Sequence, residues 1–430
     1  MDVKHFKQLD EKLYFEKMDN GLEVYVLPKK GFQKTFSVFT TKYGSIDNHF
    51  VPLGETEPTK VPDGIAHFLE HKLFEKEDGD VFQQFSKQGA SANAFTSFTR
   101  TAYLFSCTSN VSENLETLVD FVQDPYFTKE TVEKEKGIIG QEITMYDDNP
   151  DWRAYFGVID NMYHNHPVKI DIAGTIESIA DITAESLYTC YNTFYHPSNM
   201  LLFVVGAVEP EEILEQVRNN QAKKSYKDQP PIERFTDEEP EDVAVKEKTL
   251  HMSVQRPKCM TGFKGVVSNK KGREKLKHEQ TMKVLLDMLF GKSSPFYEEL
   301  YESGLIDETF GYDYTEEDNF AFSLFGGDST EPEKLAERIQ QIALNERDRA
   351  LTEEQLERIR RKKIGSFLRS LNSPEFIANQ FTRFQFHEMN LFSVVQVLEE
   401  MTLNDIEVAA AELFHAERFS KFYVLPKESQ

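Results

Sequence analysis

The sequence predicts an α+β protein of two homologous repeats, each a mainly antiparallel sheet flanked by helices. Three observations carry that expectation. Runs with strand alternation and runs with helix periodicity succeed one another along the chain. A polar stretch, Asn219 to Lys248, interrupts them at mid-chain with Pro230-Pro231 and the acidic run Asp237-Glu-Glu-Pro-Glu-Asp242. Segments before this stretch resemble segments after it, in the same order.

The elements read as follows. Asn20-Gly-Leu-Glu-Val-Tyr-Val-Leu-Pro28 alternates and stops at Pro, as a strand does. Phe36 to Gly44 reads as a second strand. A polar loop from Asp47 leads to a helix over Asp63–Phe74. A short helix over Val81–Lys87 precedes two strands, Ser91–Ser97 and Thr101–Cys107. Helical patterns return at Val111–Gln123 and Lys129–Tyr146, and Met200–Gly206 reads as a buried strand.

The repeat shows in several pairings at offsets between 215 and 224. Thr183 to Met200 matches Thr402 to Phe419, with His196 opposite His415. Val81 to Ala90 matches Phe296 to Leu305, with Gly89 opposite Gly304. Asn149-Pro150-Asp151 matches Ser373-Pro374-Glu375. The expected organisation is a first repeat over 1–220, an acidic, proline-containing linker over 221–247 and a degenerate second repeat over 248–430.

The chain has 430 residues, 39% hydrophobic and 28% charged, which suits a folded, water-soluble protein. A formal charge of −24 argues against nucleic acid or an anionic membrane as partner. The first residues lack the apolar core of a signal peptide, and no run of about 18 apolar residues occurs. Cys107, Cys190 and Cys259 are too few and too scattered for a disulfide framework, so the expected compartment is the cytoplasm.

The chemistry concentrates in Asp63-Gly-Ile-Ala-His-Phe-Leu-Glu-His-Lys-Leu-Phe74. On a helix, Ile65, Phe68, Leu69 and Leu73 share one side, and His67, Glu70 and His71 share the other. The i, i+4 spacing aims both imidazoles one way, so they can hold one metal ion. Glu70 stands close enough to take a proton from water activated there. This is His-x-x-Glu-His, the inverse of the commoner zinc motif.

Zinc needs a further protein ligand, and Lys129–Tyr146 offers two candidates. Val132, Ile138, Ile139 and Ile143 form its apolar stripe, and Glu135 and Glu142, seven apart, lie inside that stripe. Carboxylates so placed must be paired, protonated or bound to a cation. The repeat favours the cation. His67, Glu70 and His71 fall opposite Lys283, Leu286 and Asp287, while Glu135 and Glu142 fall opposite Ile359 and Ser366. The half that loses the imidazoles also loses both carboxylates. His164 and His166 lack a nearby carboxylate at ligand spacing and read as structural, like His196 and His415.

With these residues the chain resembles the pitrilysin/insulysin family of zinc peptidases, which includes the mitochondrial processing peptidases. It is most similar to the short bacterial members. The resemblance rests on His67-x-x-Glu70-His71, on Glu135 and Glu142, and on Asn93-Ala-Phe-Thr between them. It implies one Zn2+ per chain held by His67, His71 and Glu142. It further implies that Glu70 is the general base, that Glu135 supports the site, and that Asn93, Ala94 and Phe95 bind a peptide substrate along a strand edge.

Active relatives also carry an Arg and a Tyr in the second half, near Leu-Arg-…-Gly-Leu-x-Tyr. Here Leu300 is followed by Tyr301, Gly304-Leu305 by Ile306 and Asp307, and no Arg occurs between Arg273 and Arg338. Larger relatives join four such domains in one chain. The expectation is therefore a zinc metalloendopeptidase subunit completed by a paralogue that lacks the metal motif, in a heterodimer. A homodimer is the alternative for assembly. For activity, the alternatives are a silent structural subunit and a metal-dependent peptide binder.

Overall fold

A computed structural model of the chain describes residues 1–77 and 79–427, and it is an α+β structure with two main sheets. The first sheet contains β1 (Asp2–Phe6), β2 (Glu11–Lys17), β3 (Glu23–Pro28), β4 (Thr35–Thr41), β5 (Ser91–Thr96), β6 (Thr101–Cys107) and β7 (Met200–Gly206). Its order is β1-β2-β3-β7-β4-β6-β5, with β3 and β7 parallel and the other neighbours antiparallel. Every residue of β7 is buried, as its unbroken apolar run requires at the centre of a covered sheet. The β1–β2 hairpin escaped the sequence reading because β1 is almost wholly exposed and carries no apolar alternation.

The second sheet contains β8 (Glu247–Met252), β9 (Lys258–Lys264), β10 (Gly311–Glu316), β11 (Ala321–Asp328) and β12 (Phe419–Pro426), in the order β8-β12-β9-β11-β10. This repeats β3-β7-β4-β6-β5 strand for strand, including the one parallel pair. The helices repeat too. The first half has α1 (Ile65–Leu73), α2 (Val81–Lys87), α3 (Val111–Val122), α4 (Lys129–Asp147), α5 (Pro150–Met162) and α6 (Ala184–Phe194). Their counterparts are α7 (Gly272–Phe290), α8 (Pro295–Glu302), α9 (Pro332–Gln341), α10 (Glu353–Ser370), α11 (Pro374–Gln385) and α12 (Leu403–Leu413).

The compact units do not coincide with the sequence halves. One comprises Met1–Ile143, Asp171–Thr236 and Ser370–Phe386. The other comprises Thr144–Ile170, Asp237–Arg369 and the C-terminal residues from His387. The halves have exchanged their fifth helix. Helix α5 packs on β9 and β12, whereas α11 packs on β4 and β7. Both helices start alike, from a polar N-cap followed by Pro. Asn149 accepts from the N–H groups of Asp151 and Trp152, and Ser373 from that of Phe376.

The division between the units falls inside the acidic stretch, after Thr236. That stretch is tied down. Glu239 accepts the backbone N–H groups of His164, Asn165 and His166 at 2.8–2.9 Å, and the Lys264 ammonium. Burial opposes its charge, but these donors outweigh it and hold the carboxyl at about 2. The turn at His164–His166 is thus a seat for a carboxylate. No helix among the described residues is long and apolar enough to cross a membrane.

Candidate metal centre

Helix α1 starts from Gly64 at φ 85, where a Cβ would meet the Ala173 carbonyl oxygen at 2.3 Å, so glycine is required. Ile65, Phe68, Leu69 and Leu73 are buried, as their shared face predicts. The opposite face is enclosed as well, so that His67 and Glu70 are only 9% and 8% exposed. Helix α4 supplies the carboxylates. Its buried residues are Val132, Glu135, Ile139 and Ile143. Ile138, expected in the apolar stripe, is exposed instead, since it lies about 100° round the helix from Ile139, away from Ile143.

The two helices bring together the residues that spacing alone had grouped. One ligand atom each of His67, His71 and Glu142 lies within 4.8 Å of the others. Glu142 Oε1 is 3.7 Å from His67 Nε2, and Oε2 is 3.5 Å from His71 Nε2. These separations are too long for hydrogen bonds. They suit atoms that share a tetrahedral ion, since zinc bonds of about 2.0–2.1 Å put neighbouring ligand atoms about 3.4 Å apart. Two imidazoles and one carboxylate are also a zinc-like donor set with a position left open. The donors therefore fit a zinc ion.

Glu135 stands one layer back. Its Oε1 is 3.2 Å from His71 Nδ1, which leaves Nε2 free to face Glu142. Burial works against a charge on His71, but the Glu135 hydrogen bond and the carboxylates of Glu70 and Glu142 outweigh it and raise its pKa. Burial, with the positive field of His71, lowers His67 to about 4, so His67 is neutral at pH 7. Among the described residues its buried Nδ1 finds no hydrogen-bond partner.

Glu70 faces the same space. Burial is the main cause that pushes its pKa up to about 7, with Glu142 adding to the rise; His71 and a hydrogen bond from Thr96 pull the other way. A carboxylate so tuned can accept a proton near neutral pH and return it. The Thr96 hydroxyl donates to Glu70 Oε2 at 3.0 Å. Sequence spacing gave no hint of this contact, because it depends on how closely β5 passes α1.

Asn93, Ala94 and Phe95 lie on β5, the outer strand of the first sheet. Asn93 Oδ1 accepts the Ala94 N–H at 2.9 Å, and the Phe95 ring sits under the Arg100 guanidinium at 5.1 Å. Arg100 in turn donates to the Asn379 carbonyl and the Thr382 hydroxyl of α11.

In the second unit the corresponding place holds fixed cations. Asp287, opposite His71 in the repeat, is buried and accepts from Lys362 at 2.8 Å and Tyr312 at 3.0 Å, with Lys363 at 3.3 Å. Lys283, opposite His67, donates to Glu279. Tyr314 donates to Glu316 at 3.2 Å and is buried. Tyr312 and Tyr314, which follow the second-half segment that lacks the Arg and Tyr, are thus bonded within their own unit.

A paired-repeat α+β fold with, among the described residues, one candidate metal cluster suits a metallopeptidase-like class of protein, and relatives named zinc proteases agree with that class. Residues 50–176 match the family described as insulinase (peptidase family M16), and residues 181–363 match the M16 inactive domain. The chain belongs to this family, the one its motif resembles. The uncharacterized zinc protease YmfH of Bacillus subtilis is 65% identical over 98% of both chains. A solved structure from Alicyclobacillus acidocaldarius, described as M16-like, is 41% identical, covers 97% of this chain and 99% of its own, and superposes with TM-score 0.93. A protease structure from Helicobacter pylori is 19% identical with TM-score 0.80 over 97% of this chain and 100% of its own, a likeness of fold.

Proposed function

We propose that this chain is a cytoplasmic, zinc-dependent endopeptidase subunit that hydrolyses unfolded peptides within a closed chamber. One observation carries the reading: His67, His71 and Glu142 converge on one point, with Glu70 close enough for its carboxyl to feel the charges of His71 and Glu142. A zinc ion bound there supplies a Lewis acid that makes water a nucleophile near neutral pH and polarises a carbonyl.

The chain's residues do the rest. An extended peptide adds to the free edge of β5 as a further strand, which excludes folded substrates. Glu70 takes a proton from the attacking water as its oxygen bonds to the scissile carbon. Glu70 then hands that proton to the departing amine nitrogen as the C–N bond breaks. Glu135 keeps the His71 ring turned towards the site.

The second-half segment lacks the Arg and Tyr of active relatives, and Tyr312 and Tyr314 are engaged elsewhere. This supports a heterodimer in which a paralogue with a degraded metal motif supplies both groups. Loss of one oxyanion donor lowers turnover about 100- to 1000-fold, so the chain alone should be slow. The test combines zinc-loaded protein with unfolded peptides, alone and with the candidate paralogue. Glu70→Gln should keep zinc and lose hydrolysis. Wild-type rates from Glu70→Gln would remove Glu70 as the base. Full activity of the purified chain, unchanged by any partner, would replace the heterodimer by a homodimer.

A further inference from the structure

The hydroxyl of Thr96 touches the carboxylate proposed above as the base, while its backbone belongs to the strand proposed to hold the substrate. The hairpin end defines which backbone groups of β5 are free. The Ser97 N–H donates to the Arg100 carbonyl at 2.8 Å, and the register pairs Thr96 with Thr101, Phe95 with Ala102 and Ala94 with Tyr103. In an antiparallel pair, hydrogen-bonded and non-hydrogen-bonded positions alternate. Ser97, Phe95 and Asn93 therefore bond inward to β6. Ala92, Ala94 and Thr96 present their N–H and C=O groups outward, where an added strand would take them. The Asn93 side chain on the Ala94 N–H agrees with this phase, since that N–H is left over from the ladder.

Thr96 is the outward-facing position whose side chain also meets Glu70. Among the described residues it is the one hydrogen-bond donor to that carboxylate. Its hydroxyl is backed by Thr101, whose Oγ1 lies 3.5 Å away and is itself fixed by donating to the Tyr43 carbonyl at 2.9 Å. Below Thr101, Tyr103 and Tyr195 share a buried hydrogen bond of 2.8 Å. The groups behind Thr96 are thus each held by a hydrogen bond, and the Thr96 hydroxyl is directed at Glu70.

We propose that Thr96 is a positioning residue that aims the Glu70 carboxylate and ties that aim to the strand edge on which the substrate lies. The inference rests on the proposed peptidase function and deepens it. A peptide that pairs with the outward groups of Thr96 orders the same residue that orients the base. Catalysis is then coupled to correct strand addition.

The experiment compares wild type, Thr96→Val and Thr96→Ser, all zinc-loaded, on an unfolded peptide. Valine keeps the shape and the strand preference but removes the hydroxyl. A lost hydrogen bond to a charged group corresponds to a fall in kcat of about 10- to 100-fold. The expected result is that fall for Thr96→Val, with KM within about threefold, and unchanged zinc content and Tm. Thr96→Ser should recover most of kcat. Loss of zinc or of Tm in Thr96→Val would make Thr96 merely structural and overturn the proposal. A rise in KM with kcat unchanged would make it a substrate contact and overturn it too. Wild-type kinetics from Thr96→Val overturns the proposal while the peptidase reading stands. If wild type cleaves nothing either alone or with the candidate paralogue, the peptidase reading fails by itself, and crystal structures of wild type and Thr96→Val decide. A Glu70 side chain that turns away only in the valine variant upholds the positioning role, and an identical rotamer removes it.

Discussion

Removing the Glu135 carboxylate should weaken zinc binding without abolishing it. Glu135 is 8% exposed and holds His71 Nδ1 at 3.2 Å, while Glu142 faces both Nε2 atoms. In Glu135→Ala the His71 ring loses the acceptor that fixes its tautomer and its aim. Losses of this kind weaken metal affinity about 10- to 100-fold, equivalent to about 1.4–2.7 kcal/mol. In Glu142→Ala the donor set falls to two imidazoles, and the loss should be far larger. Glu135→Gln, which keeps an acceptor oxygen, should fall between wild type and Glu135→Ala. Competition against a chelator of known affinity at one fixed pH measures all three. Equal affinities in Glu135→Ala and wild type would refute the supporting role. Equal affinities in Glu135→Ala and Glu142→Ala would mean that the ligand and its support have been exchanged.

Other consequences are open to measurement. Zinc titration should saturate at about one ion per chain and vanish in His71→Ala, since Lys362 and Lys363 already neutralise Asp287 in the second repeat; two bound ions would contradict this. His278 lies buried between Glu316 at 2.7 Å and Glu412 at 2.9 Å, near Tyr314. Burial opposes its charge, but the two carboxylates win and raise it from 6.5 to about 9. Its folded pKa exceeds the unfolded one, so its stabilisation is complete below pH 6.5 and disappears as pH rises through about 9. The effect is on the order of 3 kcal/mol, and denaturant unfolding of wild type and His278→Asn across that window should show it only in wild type. Gly157→Ala places a Cβ 2.4 Å from the Phe422 ring and should destabilise the second compact unit by about 1–3 kcal/mol, read from denaturant melts; an unchanged midpoint would argue against the packing of α5 on β12.

Much of this was legible in the chain because it depends on local periodicity. Val81–Lys87 was read as a helix with the bounds it has. The offsets that matched Asn149-Pro150 to Ser373-Pro374 reappear as two equivalent helix starts. The grouping of His67, His71 and Glu142 followed from i, i+4 spacing on one helix, the stripe position of Glu142 on another, and the family resemblance. What escaped was non-local. The first hairpin lacks an apolar pattern, and Ile138 looked like core because a wheel shows direction and not what lies there. Arg100 bonds a helix some 280 residues further on, a distance no pattern encodes.

The sequence by itself showed the repeat, most first-half elements from β3 onward, the helix face that groups His67, Glu70 and His71, and the half that lacks those residues. These follow from side-chain period and from covalent order, which every copy of the chain carries. The tertiary structure alone decided that the repeats exchange their fifth helices, that Glu135 meets His71 Nδ1 while Glu142 faces both Nε2 atoms, and that Thr96 reaches Glu70. Each of these depends on how close two distant segments pass, to within about an ångström, and packing sets that distance rather than spacing along the chain.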